Sequence, residues 1–238
     1  MPVYAGEIQG PALGMAVDIC DASAQSIMPT GKAGELVCRE PFPSQPVGFW
    51  GDTEGSRYRS SYFEKFGDRI WNQGDFVLLT PSTGGYVMLG RSDGVLNPSG
   101  IRFGSAEIYN AIEKFTETTI EDSICVGQRR SCDSDETVIL FVKMKSPNAF
   151  NLDLVSSLKD TIFKTLSPRH VPKYVLEVPD IPYTMNGKKI ELAVKQVVSG
   201  VNITPSGALA NPESLTYFKR FFEIEKVVAK GEEITAKL

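Results

Sequence analysis

The stretch TVILFVKMKSPNAFNLDLVSSLKDTIFKTLSPRHVPKYVLEV, residues 137–178, decides the fold. It opens on TVILFVK, an almost unbroken apolar run of the kind a strand shows when both its faces are covered. In LVSSLKDTIFKTL the apolar side chains Val155, Leu158, Ile162 and Leu166 return at helical spacing, and Pro168 stops the helix. KYVLEV, residues 173–178, then reads as a strand again. Upstream, SAEIYNAIEKF places Ile108, Ala111, Ile112 and Phe115 on one helical face, with Ser105 as the N-cap, and SICV reads as a further strand. Downstream, Ile190, Ala193, Val194 and Val197 mark a last helix. Helices and strands in this order predict a compact α+β domain with a three-stranded sheet.

The first ninety residues have another rhythm. Short β-type runs, LGMAVDI, GELVC, FVLL and GYVML, are broken by Gly and Pro, and TPSTGG joins the last two as a hairpin turn. No long helix is expected there; the segment reads as a small twisted β layer or partial barrel, with Phe49, Trp50 and Trp71 packed into it. Between the halves lies GRSDGVLNPSGIRFGSAEI, residues 90–108, too rich in Gly and Pro for a core strand and more charged than a passive linker, with Arg91, Asp93 and Arg102. The expected organisation is a β-rich part at 1–92, an α+β domain at 93–200 and a C-terminal extension at 201–238 with no assigned chemistry.

Composition narrows the function. The chain has 238 residues, 42% hydrophobic and 23% charged, as in a globular protein. A net charge of −4 with no clustered Lys and Arg argues against nucleic acid as the main partner. No apolar run approaches the roughly 20 residues of a membrane helix, and MPVYAGEIQG lacks the layout of a signal peptide. Cys20, Cys38, Cys125 and Cys132 show no CxxC spacing, and His170 is the single histidine, so no metal site is expected. Reduced thiols and a cytoplasmic location are the expectation.

YTMNGKKIE, residues 183–191, sets two lysines directly after an Asn-Gly turn. Taken singly, each is a solvated surface charge. Likewise a Gly-Asp pair such as Gly74-Asp75 usually just closes a turn, and His170 reads as structural.

Together, WNQGDF (71–76), GRSDGVLNPSGIRFGSAEIYNAIE (90–113) and IPYTMNGKKIE (181–191) resemble, in order and spacing, the C-terminal motifs of the acyl-CoA synthetases, in the adenylate-forming superfamily. GELVCREPFPSQPVGFWGD and SPRHVPKYV narrow the resemblance to the branch that takes acetoacetate. It implies a two-step reaction with acetoacetate, ATP and CoA as substrates. A carboxylate attacks the α-phosphate of Mg-ATP to give an acyl-adenylate and pyrophosphate. The small C-terminal domain then swings, and the CoA thiol displaces AMP.

The resemblance implies the following roles. Lys188 is the catalytic lysine bridging carboxylate and α-phosphate, with Lys189 pointing elsewhere. Asp75, at a strand start, binds the ribose hydroxyls, and Arg91 and Arg102 serve the nucleotide. Asp93 is the hinge, and Gly100 lies where a side chain would obstruct the pantetheine arm of CoA. The family's Ser/Thr/Gly-rich phosphate loop and its aromatic-Thr-Glu motif, which carries a Mg2+ ligand, have no counterpart in this sequence. The expectation is therefore the C-terminal part of a longer ligase, lacking its N-terminal domain and inactive by itself. Two alternatives stand: a non-catalytic domain binding CoA, nucleotide or a partner chain, and a ligase for another short acid such as acetate or propionate. Met185 and Asn186 also depart from the Arg-Ser that many relatives carry before the glycine.

Overall fold

The structure, a computed structural model, describes residues 2–92, 94–203 and 209–229. It divides into two compact units, Met1–Asp93 and Gly94–Leu238.

In the first unit, strands β1 (Val17–Cys20), β2 (Gly34–Cys38), β3 (Trp71–Leu79) and β4 (Tyr86–Arg91) form one antiparallel sheet in that order. The expected hairpin joins β3 to β4, closed by the Thr80 N–H on the Gly85 carbonyl at 2.8 Å. β1 and β4 are the two edges, each with an isolated bridge, Ser26 to Cys20 and Ile8 to Tyr86, and they are not paired with each other among the described residues, so the sheet is open. Ile19, Val77 and Tyr86 form its small apolar core. Inside the sheet, the buried Asp18 carboxylate accepts Arg39 Nε at 2.5 Å and Ser26 Oγ at 2.7 Å. Burial pushes that carboxyl up, but these hydrogen bonds outweigh it and hold it below the ordinary value.

One helix, α1 (Ser56–Tyr62), has no apolar stripe to announce it, because none of its residues is buried. Its rings join an aromatic cluster instead: Tyr62 stacks on Trp71 at 5.0 Å, Phe42 meets Trp71 edge-on at 5.1 Å, and Phe49 meets Tyr58 at 5.7 Å. Trp71 and Phe49 thus pack as expected. Trp50 does not: it is 100% exposed.

In the second unit, β5 (Ile120–Gln128), β6 (Thr137–Met144) and β7 (Tyr174–Glu177) form a sheet with β6 at its centre. β5 runs antiparallel to β6, and β7 parallel to it, after a crossover through α3 (Leu152–Thr165). The apolar run of β6 has its physical reason here. Val138, Leu140 and Val142 face one cluster with α2 (Ser105–Thr118) and α3, while Ile139 and Phe141 face a second cluster on the other side. α3 is capped by Asn151, whose Oδ1 accepts the Leu154 N–H at 2.9 Å.

Two sequence expectations need correction. The N-cap of α2 is Gly104 rather than Ser105: the Gly104 N–H donates to Glu107 Oε1 at 2.9 Å, and Ser105 Oγ instead donates to Glu191 Oε1 at 2.8 Å. α4 (Glu191–Val198) is not the last helix; α5 (Pro212–Tyr217), a 3-10 turn at Phe218–Glu223 and α6 (Ile224–Ala229) follow. The Gly-rich junction also reaches the core, where Leu96 and Phe103 exchange backbone hydrogen bonds of 2.9 and 3.0 Å and are buried.

The segment at 209–229 completes the second cluster. Leu215, Phe218, Phe221, Ile224 and Val227 pack beside α4, and Phe141 meets Phe218 and Phe221 at 4.9 and 4.8 Å. The buried Gln128 side chain donates to the carbonyls of Val198 and Phe221 at 2.6 and 2.9 Å. Arg130 bridges Asp133 and Glu225 at 2.9 and 2.7 Å. At Gly127, an added Cβ would overlap the Glu136 carboxyl, which holds the Asn97 N–H at 2.7 Å and the Lys195 ammonium at 2.9 Å. Among the described residues no helix is long and apolar enough to cross a membrane.

Candidate functional site

The expected site residues fall on both units. In the first, Asp75 lies within β3, not at its start, directly opposite Arg91 at the end of β4. The register shifts between Phe76 and Val77, immediately after Asp75; such irregularities re-aim side chains at sheet margins. The preceding Gly74 has φ +82°, and an added Cβ would stand 3.1 Å from Arg91 Nη2. Glycine in WNQGDF thus has a local reason: it adopts the left-handed backbone and makes room for the guanidinium. The result is a half-buried carboxylate, able to accept two hydroxyl protons, opposite a rigid donor fork.

In the second unit, YTMNGKK is a hairpin loop. The Gly187 N–H donates to the Thr184 carbonyl at 2.9 Å and the Thr184 N–H to the Lys188 carbonyl at 2.8 Å, while the Lys188 N–H reaches Thr184 Oγ1 at 3.1 Å. Gly187 has φ +73°, whereas Asn186 keeps a negative φ. This is a turn over Thr184–Gly187 followed by a left-handed glycine, not a two-residue Asn-Gly turn. Below the loop, Tyr183 and Lys189 pair across the two legs.

The adjacent lysines have opposite environments. Lys188 is exposed, and its ammonium has no hydrogen bond or ion pair among the described residues. Lys189 Nζ sits 2.6 Å from Asp122 Oδ1 and 4.3 Å from the centre of the Tyr109 ring. Tyr183 on the other leg donates to Asp122 Oδ2. Burial and the Asp122 carboxylate push the Tyr183 phenol up, so it stays protonated and a donor. Tyr109 donates to Glu191 Oε1 at 2.5 Å and accepts the Cys125 N–H at 2.9 Å, and burial and Glu191 push its phenol well above the ordinary value.

Sequence reasoning missed Asp122, Tyr183 and Asn211. Asn211 accepts the Tyr183 N–H at 2.9 Å and donates to Asp180 Oδ2 at 2.5 Å and the Ile181 carbonyl at 2.8 Å. No periodicity marks these residues; the one local signal was a charged pair, Glu121-Asp122, inside a strand.

Arg102 is exposed and forms no ion pair among the described residues. Gly100 has φ +79° with nothing of the protein within 4 Å of an added Cβ, so the backbone conformation alone favours glycine there. Beside it, Ser99 adopts φ 52° and is held by Asp135, which accepts its N–H at 2.8 Å and its hydroxyl at 2.8 Å. Asp93, the expected hinge, lies outside the described residues. His170 is structural: its Nδ1 lies 2.8 Å from Ser167 Oγ, and its ring lies 4.2 Å from that of Phe103. Cys20, Cys38 and Cys125 are buried thiols, and Cys132 is exposed.

The arrangement, a four-stranded sheet followed by a three-stranded sheet flanked by helices, is similar in fold to parts of solved CoA ligases. Comparison with known proteins is more specific. The chain is 51% identical over 225 residues to the acetoacetyl-CoA synthetase of Rattus norvegicus, covering 94% of this chain and 33% of that protein. A malonamoyl-CoA synthetase of Penicillium aethiopicum is 45% identical over 92% of this chain and 29% of that protein. The solved acetoacetyl-CoA synthetase of Streptomyces lividans superposes with a TM-score of 0.80 at 38% identity, over 94% of this chain and 33% of that one. No protein-family model matches. The chain is thus homologous to the C-terminal third of acetoacetyl-CoA synthetases, and spans about a third of the length of these relatives.

Proposed function

We propose that this chain is the lysine-bearing part of an acetoacetate–CoA ligase. The observation that carries the reading is the contrast at the loop tip: a free Lys188 ammonium on a hairpin whose legs are tied down, in a sequence about half identical to acetoacetyl-CoA synthetases. In the first step the carboxylate of the acid attacks the α-phosphate of ATP, an oxygen–phosphorus bond forms, and pyrophosphate leaves. Both reactants are anions. Lys188 lies between them and offsets their repulsion; at about 4 Å and an effective dielectric of about 20 one such contact amounts to roughly 4 kcal/mol. Even half of that, if gained only in the transition state, is a rate factor of about 30. In the second step the CoA thiol attacks the acyl carbon, AMP leaves, and Lys188 has no part.

Asp75 and Arg91 hold the ribose and its neighbouring phosphate, Asp93 is the hinge, Gly100 flanks the pantetheine arm and Arg102 meets phosphate in one of the two steps. Among the described residues no three His, Cys, Asp or Glu side chains gather as a metal site. Acetoacetate is the acid favoured by the relatives, and the cytoplasm is the location proposed. One relative named for another acid, a malonamoyl-CoA synthetase, is as similar to this chain, at 45%, as an acetoacetyl-coenzyme A synthetase of Rhizobium meliloti, which supports acid choice by parts of the ligase beyond these motifs.

The test joins this chain to the upstream two thirds of the rat relative. Lys188→Ala is expected to cut ATP–pyrophosphate exchange by roughly a hundredfold or more, while thioester formation from supplied acyl-adenylate stays within about threefold. Equal loss in both half-reactions overturns the bridging role. The chain by itself is expected to show no exchange.

A further inference from the structure

The loop that carries Lys188 has no apolar residue buried at its tip, and Met185, Asn186, Gly187 and Lys188 are all exposed. Two legs lead to it, one through Tyr183 and one through Lys189. A loop of this kind is only as well placed as its legs. Both legs end on one carboxylate. Asp122 Oδ1 lies 2.6 Å from Lys189 Nζ, and Asp122 Oδ2 accepts the Tyr183 hydroxyl. The two oxygens of one side chain therefore tie the strand entering the loop to the strand leaving it, and tie both to β5.

The backbone places Asp122 for this. In β5 the pairing with β6 runs Ile120 to Met144 and then Asp122 to Lys143, so one residue is skipped between them. A bulge of this sort turns the following side chain out of the regular alternation. It leaves Glu121 exposed and paired with Lys143 at 2.7 Å, and Asp122 half-buried against the hairpin. Lys189 is further fixed by the Tyr109 ring, and Tyr183 by Asn211, so each leg has a second hold, but among the described residues the Asp122 side chain alone holds both.

We propose that Asp122 is the positioning residue for Lys188. It makes no contact with Lys188 and acts through the hairpin, and the proposal rests on the reading of Lys188 as the bridging cation. A loop freed at both legs lets the ammonium wander by an ångström or more, and displacements of that size can cost up to about a hundredfold in rate.

Two measurements separate this from mere support of the fold. The first needs only the chain itself: amide hydrogen exchange at Gly187 and Thr184, whose N–H groups close the loop, in Asp122→Ala and in Asp122→Asn. Asp122→Ala is expected to speed exchange at those amides roughly tenfold while β6 amides keep their protection. Asp122→Asn, which keeps the shape but only one acceptor and no charge, is expected to restore part of the protection, between Asp122→Ala and the wild type. The second uses the joined ligase. Asp122→Ala is expected to lower pyrophosphate exchange at least about tenfold, with thioester formation nearly unchanged, and Asp122→Asn to fall between Asp122→Ala and the wild type.

Unchanged loop amides in Asp122→Ala overturn the proposal, and so does a loss shared equally by both half-reactions. Lys188→Ala in the same assays keeps the two ideas apart. If it leaves adenylation intact, the reading of Lys188 fails, whatever the exchange data say about Asp122. If it abolishes adenylation while Asp122→Ala does not lower it, the positioning role alone fails.

Discussion

The two sheets of this molecule are finished to different degrees. In the second unit both faces of the three-stranded sheet are covered, by α2 and α3 on one side and by α4 with residues 209–229 on the other. In the first unit a four-stranded sheet has a small apolar core of Ile19, Val77 and Tyr86, while Leu13, Val47 and Trp50 are fully exposed. Single apolar side chains left bare are common on protein surfaces; the difference between the units lies in the size of the core behind each sheet. The second unit is covered on both faces of its sheet and presents the Lys188 loop; the first holds the Asp75–Arg91 pair on a layer with a smaller core.

The comparison can be broken most strongly inside the second unit. Phe221 is buried against Phe141, and Phe221→Ala is expected to destabilise the chain by about 3–5 kcal/mol in denaturant unfolding. A loss under about 1 kcal/mol would mean that the segment at 209–229 is an ornament rather than a layer of the core. Gly127→Ala comes next. Its new methyl would displace the Glu136 carboxyl from Asn97 and Lys195, at a cost of about 1–3 kcal/mol read as a lowered melting temperature.

A smaller effect follows from Arg130. Its hydrogen bonds hold the Asp133 and Glu225 carboxyls below their ordinary values of 3.8 and 4.5. Depressed carboxyls bind protons less readily folded than unfolded, so their contribution is present above those values and lost as pH falls through and below them. The stability difference between the wild type and Arg130→Met, followed from about pH 6 to about pH 3, is expected to shrink with acid. A difference that stays constant would remove the ion pairs from the hold on the C-terminal segment. The smallest effect is expected in the first unit: Trp50→Ser should change stability by less than about 0.5 kcal/mol, because the ring touches nothing it could lose. It should, however, reduce self-association in sedimentation; a large stability loss would show that the ring is covered within the chain.

The same contrast explains what could be read from residues alone. β6 was legible because a strand covered twice loses its alternation, and α3 because its three buried apolar residues, Val155, Leu158 and Ile162, repeat at helical spacing. The loop was legible because Asn-Gly chemistry and an adjacent cation are local features. The element at 218–223 was not, since Phe218 and Phe221 are interrupted by Lys219 and Arg220 and are buried by partners distant in sequence, Phe141 of β6 among them. α1 was hidden because its rings pack with one another rather than along a stripe. Asp122 was invisible for a deeper reason: its importance lies in two partners 61 and 67 positions away, Tyr183 and Lys189, brought to it by a bulge that leaves no mark on the sequence. Asp75 was found through its motif, but its place opposite Arg91 is a matter of strand register.

The central claim is that the hairpin offers one free cation beside one that is tied down. Its most direct measurement is the acetylation rate of each lysine in the native chain under a small amine-reactive reagent, followed by mass spectrometry. Lys188 is expected to react at least about tenfold faster than Lys189, whose ammonium is shared between Asp122 and the Tyr109 ring. Equal rates, or a faster Lys189, would contradict the claim.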